Sequence, residues 1–374
     1  MLEGLNQVRW YELHHCYGRA TDVPRLLRAI ASNDASVRDD AWHSLYSNLL
    51  HQGTVYEATA YAVPFLIELA QAPQVQDRHK VLAYLCALTR DWEVHQELGV
   101  LGDERNKPDL KEQLEKELPS VRAAHEAARI GAPSYAKLLA DPSPLVRAGA
   151  AHLLGHFPED AKRNIGWIRA HIDAGERDVV VRAAFVLSIG SLATAHSEAT
   201  AWLEQVLAAD EPDGVRVAAA LGIAWSIRSA ISEVARALLT RAAVAPGAAK
   251  DVFAQFPWDE ADVQAYSRVA LVIIGEPAQS LPTLIKALDD VAQYQSWGLV
   301  LCMLQMVFAG QPKPATASVN DLTTDQRAAL FAIAQSQDFW ASYFIDAPQI
   351  LRCFGLPGER EELRAFLDGN RTAS

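Results

Sequence analysis

The sequence predicts an all-α protein, a right-handed α-α superhelix of about eight stacked helical pairs, and three observations lead there. The stretch from Pro133 to Gly155 reads as two short helices, with Tyr135, Leu138 and Leu139 on one and Val146, Ala150, Leu153 and Leu154 on the other, at helical spacing. Neither is long enough to be stable alone, so the pair must stack on copies of itself. The Val-Arg pair inside it recurs at Val37-Arg38, Val121-Arg122, Val181-Arg182 and Val215-Arg216, with small residues after most copies. Finally, 35 residues separate Arg147 from Arg182 and 34 separate Arg182 from Arg216, a self-similar period of the size that builds solenoids.

Taken in order, residues 1–21 form an N-terminal cap dense in Trp10, Tyr11, His14, His15 and Tyr17. Residues 22–90 hold the first repeats: a helix opened by Asp22-Val23-Pro24, its partner from Val37 to about Leu50, a helix from Tyr56 to Ala70, and one from Asp77 to Thr89. Pro64 predicts a kink or a fresh start within the third of these. The period breaks over 91–120, a charged insertion whose helix Asp109–Leu118 carries a thin stripe of Leu110, Leu114 and Leu118. Repeats resume over 121–310, a Pro-containing linker occupies 311–320, and 321–374 close the array as a C-terminal cap. Thr323 with Gln326 is a capping-box signature for the first cap helix. Within each repeat, Val is expected to face the core and Ala to let helices approach. Arg near the turn is expected to pair with Asp34, Asp141, Asp178 or Asp213 of its own or a neighbouring repeat.

Composition narrows the function classes. Half of the 374 residues are hydrophobic, and 46 acidic side chains outweigh 34 basic ones for a net charge of −12. Nucleic acids and anionic membranes draw affinity from an excess of cations, so this balance argues against both as general partners. Cys16, Cys86, Cys302 and Cys353 are scattered without metal-ligand or redox spacing, which fits thiols in a reducing cytoplasm. The N-terminus lacks the basic run and apolar core of a secretion signal, and no apolar window is long enough to span a bilayer, so a cytoplasmic protein is expected.

The repeated order of helix, Asp-containing turn and Val-Arg-x-x-Ala helix resembles the HEAT-repeat (armadillo-like) proteins over roughly Asp22 to Ala309. More narrowly, His14-His15-Cys16-Tyr17-Gly18, the block from His51 to Thr59 with Ala62-Val63-Pro64-Phe65-Leu66, and Phe354-Gly355-Leu356-Pro357 are similar to a group of bacterial HEAT-repeat proteins that carries no assigned activity. The resemblance implies a HEAT-repeat solenoid and no particular chemistry.

The sharpest candidate site lies on the helix after Val37. With Val37, Ala41, Leu45, Asn48 and Leu49 taken as the core side, Asp39, Trp42, His43 and Tyr46 share the opposite face, with His51, Tyr56 and Glu57 at its edge. Second helices of HEAT pairs line the inner groove, so this face predicts an aromatic binding patch, unless the Trp10–Tyr17 segment covers it. His152 and His156, four apart, can point the same way, but the metal geometry needs a third ligand that helical spacing does not supply. His125-Glu126 resembles one motif of the HEAT-like di-iron hydroxylases, which need several such pairs, and no second pair is present. No catalytic residues, cofactor or metal are therefore assigned.

The expected function is a non-catalytic HEAT-repeat scaffold or adaptor binding a protein or peptide, a basic one by charge, as an inhibitor or immunity-like protein would. The alternative is a HEAT-fold enzyme acting on nucleic acid or a small molecule in the groove, as HEAT-like DNA glycosylases do, with Asp39, Trp42 and Tyr46 as its site.

Overall fold

In the computed structural model the described residues are 1–51, 53–89, 108–258, 261–290, 293–308, 318–341 and 347–369. Most of the expected insertion (91–107), the linker (311–317) and parts of the C-terminal cap (342–346 and 370–374) lie outside them. Helices carry most of the described chain, as the period required. Backbone contacts group it into two compact units, one of residues within 1–199 together with 255–261, the other of residues within 200–254 and 262–374.

The first unit opens on a 3-10 turn (Glu3–Gln7) and two short hairpins, β1 (His14–His15) with β2 (Gly18–Arg19) and β3 (Leu50–His51) with β4 (Thr54–Val55). Between and after them come α1 (Val23–Ile30), α2 (Ala35–Leu49), α3 (Glu57–Gln71) and α4 (Arg78–Leu88). Asp34 starts α2 by accepting a hydrogen bond from the Ser36 N–H at 2.9 Å, satisfying a donor the helix leaves unpaired. The expected interruption at Pro64 does not occur: α3 runs unbroken through it. Pro64 lies on the exposed side, while Ala58, Ala62, Val63, Leu66 and Leu69 are all fully buried, so packing outweighs the lost N–H. The charged helix is likewise longer than expected, because α5 (Pro108–Ile130) runs through Pro119 and takes in Val121-Arg122. Leu118 stands exposed on it.

The repeats proper are α6 (Ala132–Leu138), α7 (Pro144–Leu154), α8 (Ala161–Asp173) and α9 (Val179–Leu192). Val146, Val181 and the alanines that follow them are buried, and α7 packs between α4 and α9. Three of the Val-Arg arginines tie their own turns. Arg38 donates to the carbonyls of Ser32 (3.0 Å) and Asn33 (3.2 Å), Arg147 to those of Asp141 (2.9 Å) and Pro142 (3.3 Å), and Arg182 to that of Glu176 (3.2 Å). The same turns are joined to their neighbours by Arg38–Asp77 at 3.5 Å, Arg78–Asp141 at 2.6 Å and Arg147–Glu176 at 2.8 Å. Arg38 and Arg147 thus clamp neighbouring repeats through Asp77 and Glu176, whereas Asp34 and Asp178, expected as pairing partners, cap α2 and α9.

The second unit begins within α10 (Glu198–Ala208) and continues with α11 (Asp213–Ile227), α12 (Glu233–Val244), α13 (Ala248–Phe253), α14 (Val263–Ile274), α15 (Pro277–Ala287) and α16 (Gln293–Phe308). The chain then forms α17 (Thr324–Gln335), α18 (Gln337–Trp340), α19 (Ala347–Cys353) and α20 (Arg360–Leu367). Val215 and Ala218-Ala219-Ala220 are fully buried where α11 meets α12, α13 and α14. The capping box at α17 forms as predicted, Thr323 Oγ1 accepting from Gln326 N at 3.2 Å and Gln326 Oε1 from Thr323 N at 2.9 Å. Among the described residues no helix is long and apolar enough to cross a membrane.

Candidate functional site

The face of α2 divides in two. Ala41, Leu45, Asn48 and Leu49 are buried as the helical spacing predicts, but Val37, expected on the core side, is 42% exposed. It sits in the first turn of α2, whereas Val146 and Val181, its counterparts in later repeats, are buried. On the other side, Asp39 and His43 stand exposed one turn apart, whereas Trp42 is only 8% exposed and Tyr46 is half-buried. Tyr84 of α4 brings them in. Its ring centroid lies 5.5 Å from Trp42, edge-on, and 4.6 Å from Tyr46. Its hydroxyl, fully buried, donates to the Leu45 carbonyl at 2.7 Å, and burial pushes its pKa well up. Trp42, Tyr46 and Tyr84 thus form a ring cluster joining α2 to α4.

Trp42 is therefore covered by α4, not by the N-terminal segment. Trp10 is itself buried, donating to the Leu5 carbonyl at 2.7 Å with its ring 6.3 Å from Phe65 of α3. The segment's polar half builds a different surface. His15 Nδ1 accepts from Tyr17 N at 3.1 Å, so its other nitrogen carries the proton toward Asp22 Oδ1 at 3.0 Å. Asp22 also accepts from Asn48 Nδ2 at 2.8 Å, and Cys16 N donates to the Asn48 carbonyl at 3.1 Å. This network fixes the β1–β2 turn against the end of α2. Tyr17 consequently projects with 66% of its surface exposed, edge-on to His51 at 5.6 Å. Beside the turn His14 Nδ1 lies 3.7 Å from Glu57 Oε2, and Tyr61, exposed, follows Glu57 by one turn of α3. Tyr56, half-buried, starts that helix, its N–H donating to Thr59 Oγ1 at 3.1 Å. The seven candidate residues therefore fall into an exposed pair on α2 (Asp39, His43), a packed pair (Trp42, Tyr46) and a hairpin edge (His51, Tyr56, Glu57).

The other sequence candidates separate as sharply. His125 and Glu126 turn to different partners, His125 Nε2 to Glu159 at 3.1 Å and Glu126 to Arg129 at 2.7 Å. Arg129 also holds Asp160 at 2.8 Å, and its hydrogen bonds keep the Glu126 carboxyl below its ordinary value. The His125–Glu159 and Arg129–Asp160 contacts tie α5 to the turn that precedes α8. His152 and His156 do converge, with their Nε2 atoms 3.4 Å apart. The third donor, which helical spacing could not supply, comes from another helix: the Cys86 thiol of α4 lies with both imidazoles inside a 4.8 Å set. In the second unit, an open cavity of about 850 Å³ between α12 and α15 is lined by Arg236, Thr240, Arg241 and Glu276. There the buried Arg236 is engaged by Glu276 at 2.7 Å.

Stacked pairs of short helices, recurring along the chain with arginine-tied turns, define an α-solenoid repeat protein. Residues 132–224 match the family model for HEAT repeats, and that stretch of the chain is built of HEAT repeats. No curated protein and no solved structure matches it. Sequence reasoning missed Tyr84, which reads as one more core residue of α4, and Cys86, which lies 66 positions from His152 with no pattern linking them.

Proposed function

We propose that this HEAT-repeat chain is a non-catalytic scaffold that docks a basic protein segment on the hairpin edge of its first unit, through Tyr17, His51, Glu57 and Tyr61, with Asp39 and His43 on the exposed side of α2 extending that surface. HEAT repeats in general serve as protein-interaction scaffolds. The observation that carries the reading is Tyr17, an aromatic ring 66% exposed and held out by a buried hydrogen-bonded network. A rigid aromatic beside a carboxylate offers contact area at small entropic cost and suits the cation–π and ion-pair needs of Lys or Arg. The net charge of −12 favours a cationic partner over long range. A cytoplasmic adaptor or inhibitor of a basic partner is the role that fits this chemistry.

The test is a peptide array of Lys/Arg-rich and Asp/Glu-rich segments, followed by titration of the best binder in solution. Tyr17→Ala and Glu57→Lys are expected to weaken binding about tenfold or more while the thermal midpoint stays within about 1 °C of the parent. Equal binding of acidic and basic peptides, or indifference to both substitutions, would overturn the proposal.

A further inference from the structure

The meeting of Cys86, His152 and His156 has three features that packing alone does not require. The first is distance. Two imidazole nitrogens ~2.05 Å from a tetrahedral zinc ion lie about 3.3 Å apart, and the two Nε2 atoms here are separated by 3.4 Å. A thiolate on the same ion sits ~3.6 Å from each nitrogen. All three donor atoms already fall within 4.8 Å of one another, so closure needs movements on the order of 1 Å.

The second feature is the proton on His156. Thr89 Oγ1 donates its hydrogen to the Cys86 carbonyl at 3.0 Å and therefore can only accept from His156 Nδ1, which lies 3.4 Å away. That leaves the proton on Nδ1 and the lone pair of Nε2 facing His152 and Cys86. A hydrogen bond from the far nitrogen is what orients a metal-bound imidazole. The third is rigidity. The His152 ring stacks on Trp258 at 3.9 Å and 11°, and Trp258 on Phe256 at 4.4 Å. Gly155 lets the chain turn His156 beneath His152, since a Cβ there would sit 3.0 Å from the His152 carbonyl and 3.3 Å from Ser188 of α9.

We propose that Cys86 Sγ, His152 Nε2 and His156 Nε2 form a zinc-binding site that pins α4 to α7, with the fourth tetrahedral position left to water or to a donor from a bound molecule. One thiolate and two neutral imidazoles are borderline-soft donors, the set that suits zinc better than magnesium or calcium. Thr89 is a positioning residue: it sets which nitrogen of His156 faces the ion. The site is independent of the hairpin edge, and either proposal can fail without the other.

The experiment uses the full chain. Metal content is measured by mass spectrometry after purification. Zinc is then stripped with a chelator, and zinc alone is titrated back while the thermal midpoint is followed. One zinc per chain and a rise of about 5 °C at saturating zinc are expected for the parent protein. Cobalt should give a thiolate-to-metal charge-transfer band in the near ultraviolet that Cys86→Ser abolishes. His152→Ala and His156→Ala should each lose stoichiometric zinc, and Thr89→Val should weaken its affinity about tenfold or more. Circular dichroism of the stripped parent and of Cys86→Ser separates loss of the ion from loss of the fold. A stripped parent protein that shows neither the thermal shift nor the charge-transfer band, or a Cys86→Ser variant that binds zinc like the parent, would overturn the proposal and leave a histidine pair packed on Trp258.

Discussion

Replacing Asp141 by Asn tests whether the arginine clamps hold neighbouring repeats together. Arg78 meets Asp141 with both guanidinium nitrogens, Nη1 to Oδ2 at 2.6 Å and Nη2 to Oδ1 at 3.0 Å, and the two side chains are only 13% and 8% exposed. Asn keeps the Oδ1 acceptor that Ser143 N uses at 3.0 Å, so the turn survives while the charge and the Oδ2 acceptor of Arg78 Nη1 are removed. Breaking a buried ion pair from one side costs about 3–5 kcal/mol, because the remaining charge is stranded. Since Asn can still accept one bond from Arg78, the low end, about 3 kcal/mol, is expected, which lowers the thermal midpoint of a unit this size by about 6–12 °C.

The same pair sets a pH dependence. Burial by itself raises the Asp141 carboxyl, but hydrogen bonds from Arg78 and Ser143 and the charges of Arg78 and Arg147 outweigh it and hold the pKa below the ordinary value. The unfolded chain therefore takes up this proton first. The stabilisation is complete above about pH 4 and is lost as the pH falls through the folded value. Calorimetry of the parent, Asp141→Asn, Arg78→Met and the double variant from pH 7 to pH 3 is the assay. The double variant should be less destabilised than the two single losses added together. A loss under about 1 kcal/mol in Asp141→Asn, or strict additivity, would show an ordinary surface pair and refute the clamp.

Two further outcomes follow from the packing. Tyr84→Phe keeps the ring contacts with Trp42 and Tyr46 but removes the hydrogen bond to the Leu45 carbonyl at 2.7 Å, so chemical denaturation should show a loss of about 1–2 kcal/mol without a change in secondary structure. Gly214→Ala would place a methyl 2.8 Å from Val252 Cβ where α11 meets α13, and such overpacking should cost about 1–3 kcal/mol, read as a lowered midpoint; an unchanged midpoint would mean that α13 yields freely.

The HEAT architecture could be read from residues because it is written in local and periodic terms. Apolar spacing gives each helix, Thr323 gives a helix start, and a step of 34 to 35 residues gives the stacking. The structural role of Arg38 and Arg147 was also legible, since an arginine beside a turn has that turn's carbonyls and a neighbouring repeat's carboxylate within reach, though not which carboxylate it takes. Where the expectation and the structure part, the cause is the partner of a residue rather than its own helix. Val37 is exposed where its counterparts Val146 and Val181 are buried, and Pro64 and Pro119 sit inside unbroken helices because their neighbours hold those helices in place.

What the chain alone determined about the site is its residue types and their faces: Asp39, Trp42, His43 and Tyr46 do share one side of α2. Which of these rings meets solvent depends on Tyr84, 38 residues beyond Tyr46, and that depends on how α4 docks. In the same way two histidines four apart at the end of α7 become a three-donor cluster only when α4 packs against α7 and carries Cys86 to them. Periodicity fixes secondary structure and stacking order because those arise within one repeat and its copy. The chemistry falls between helices, where side chains distant in sequence converge, and only tertiary packing decides that.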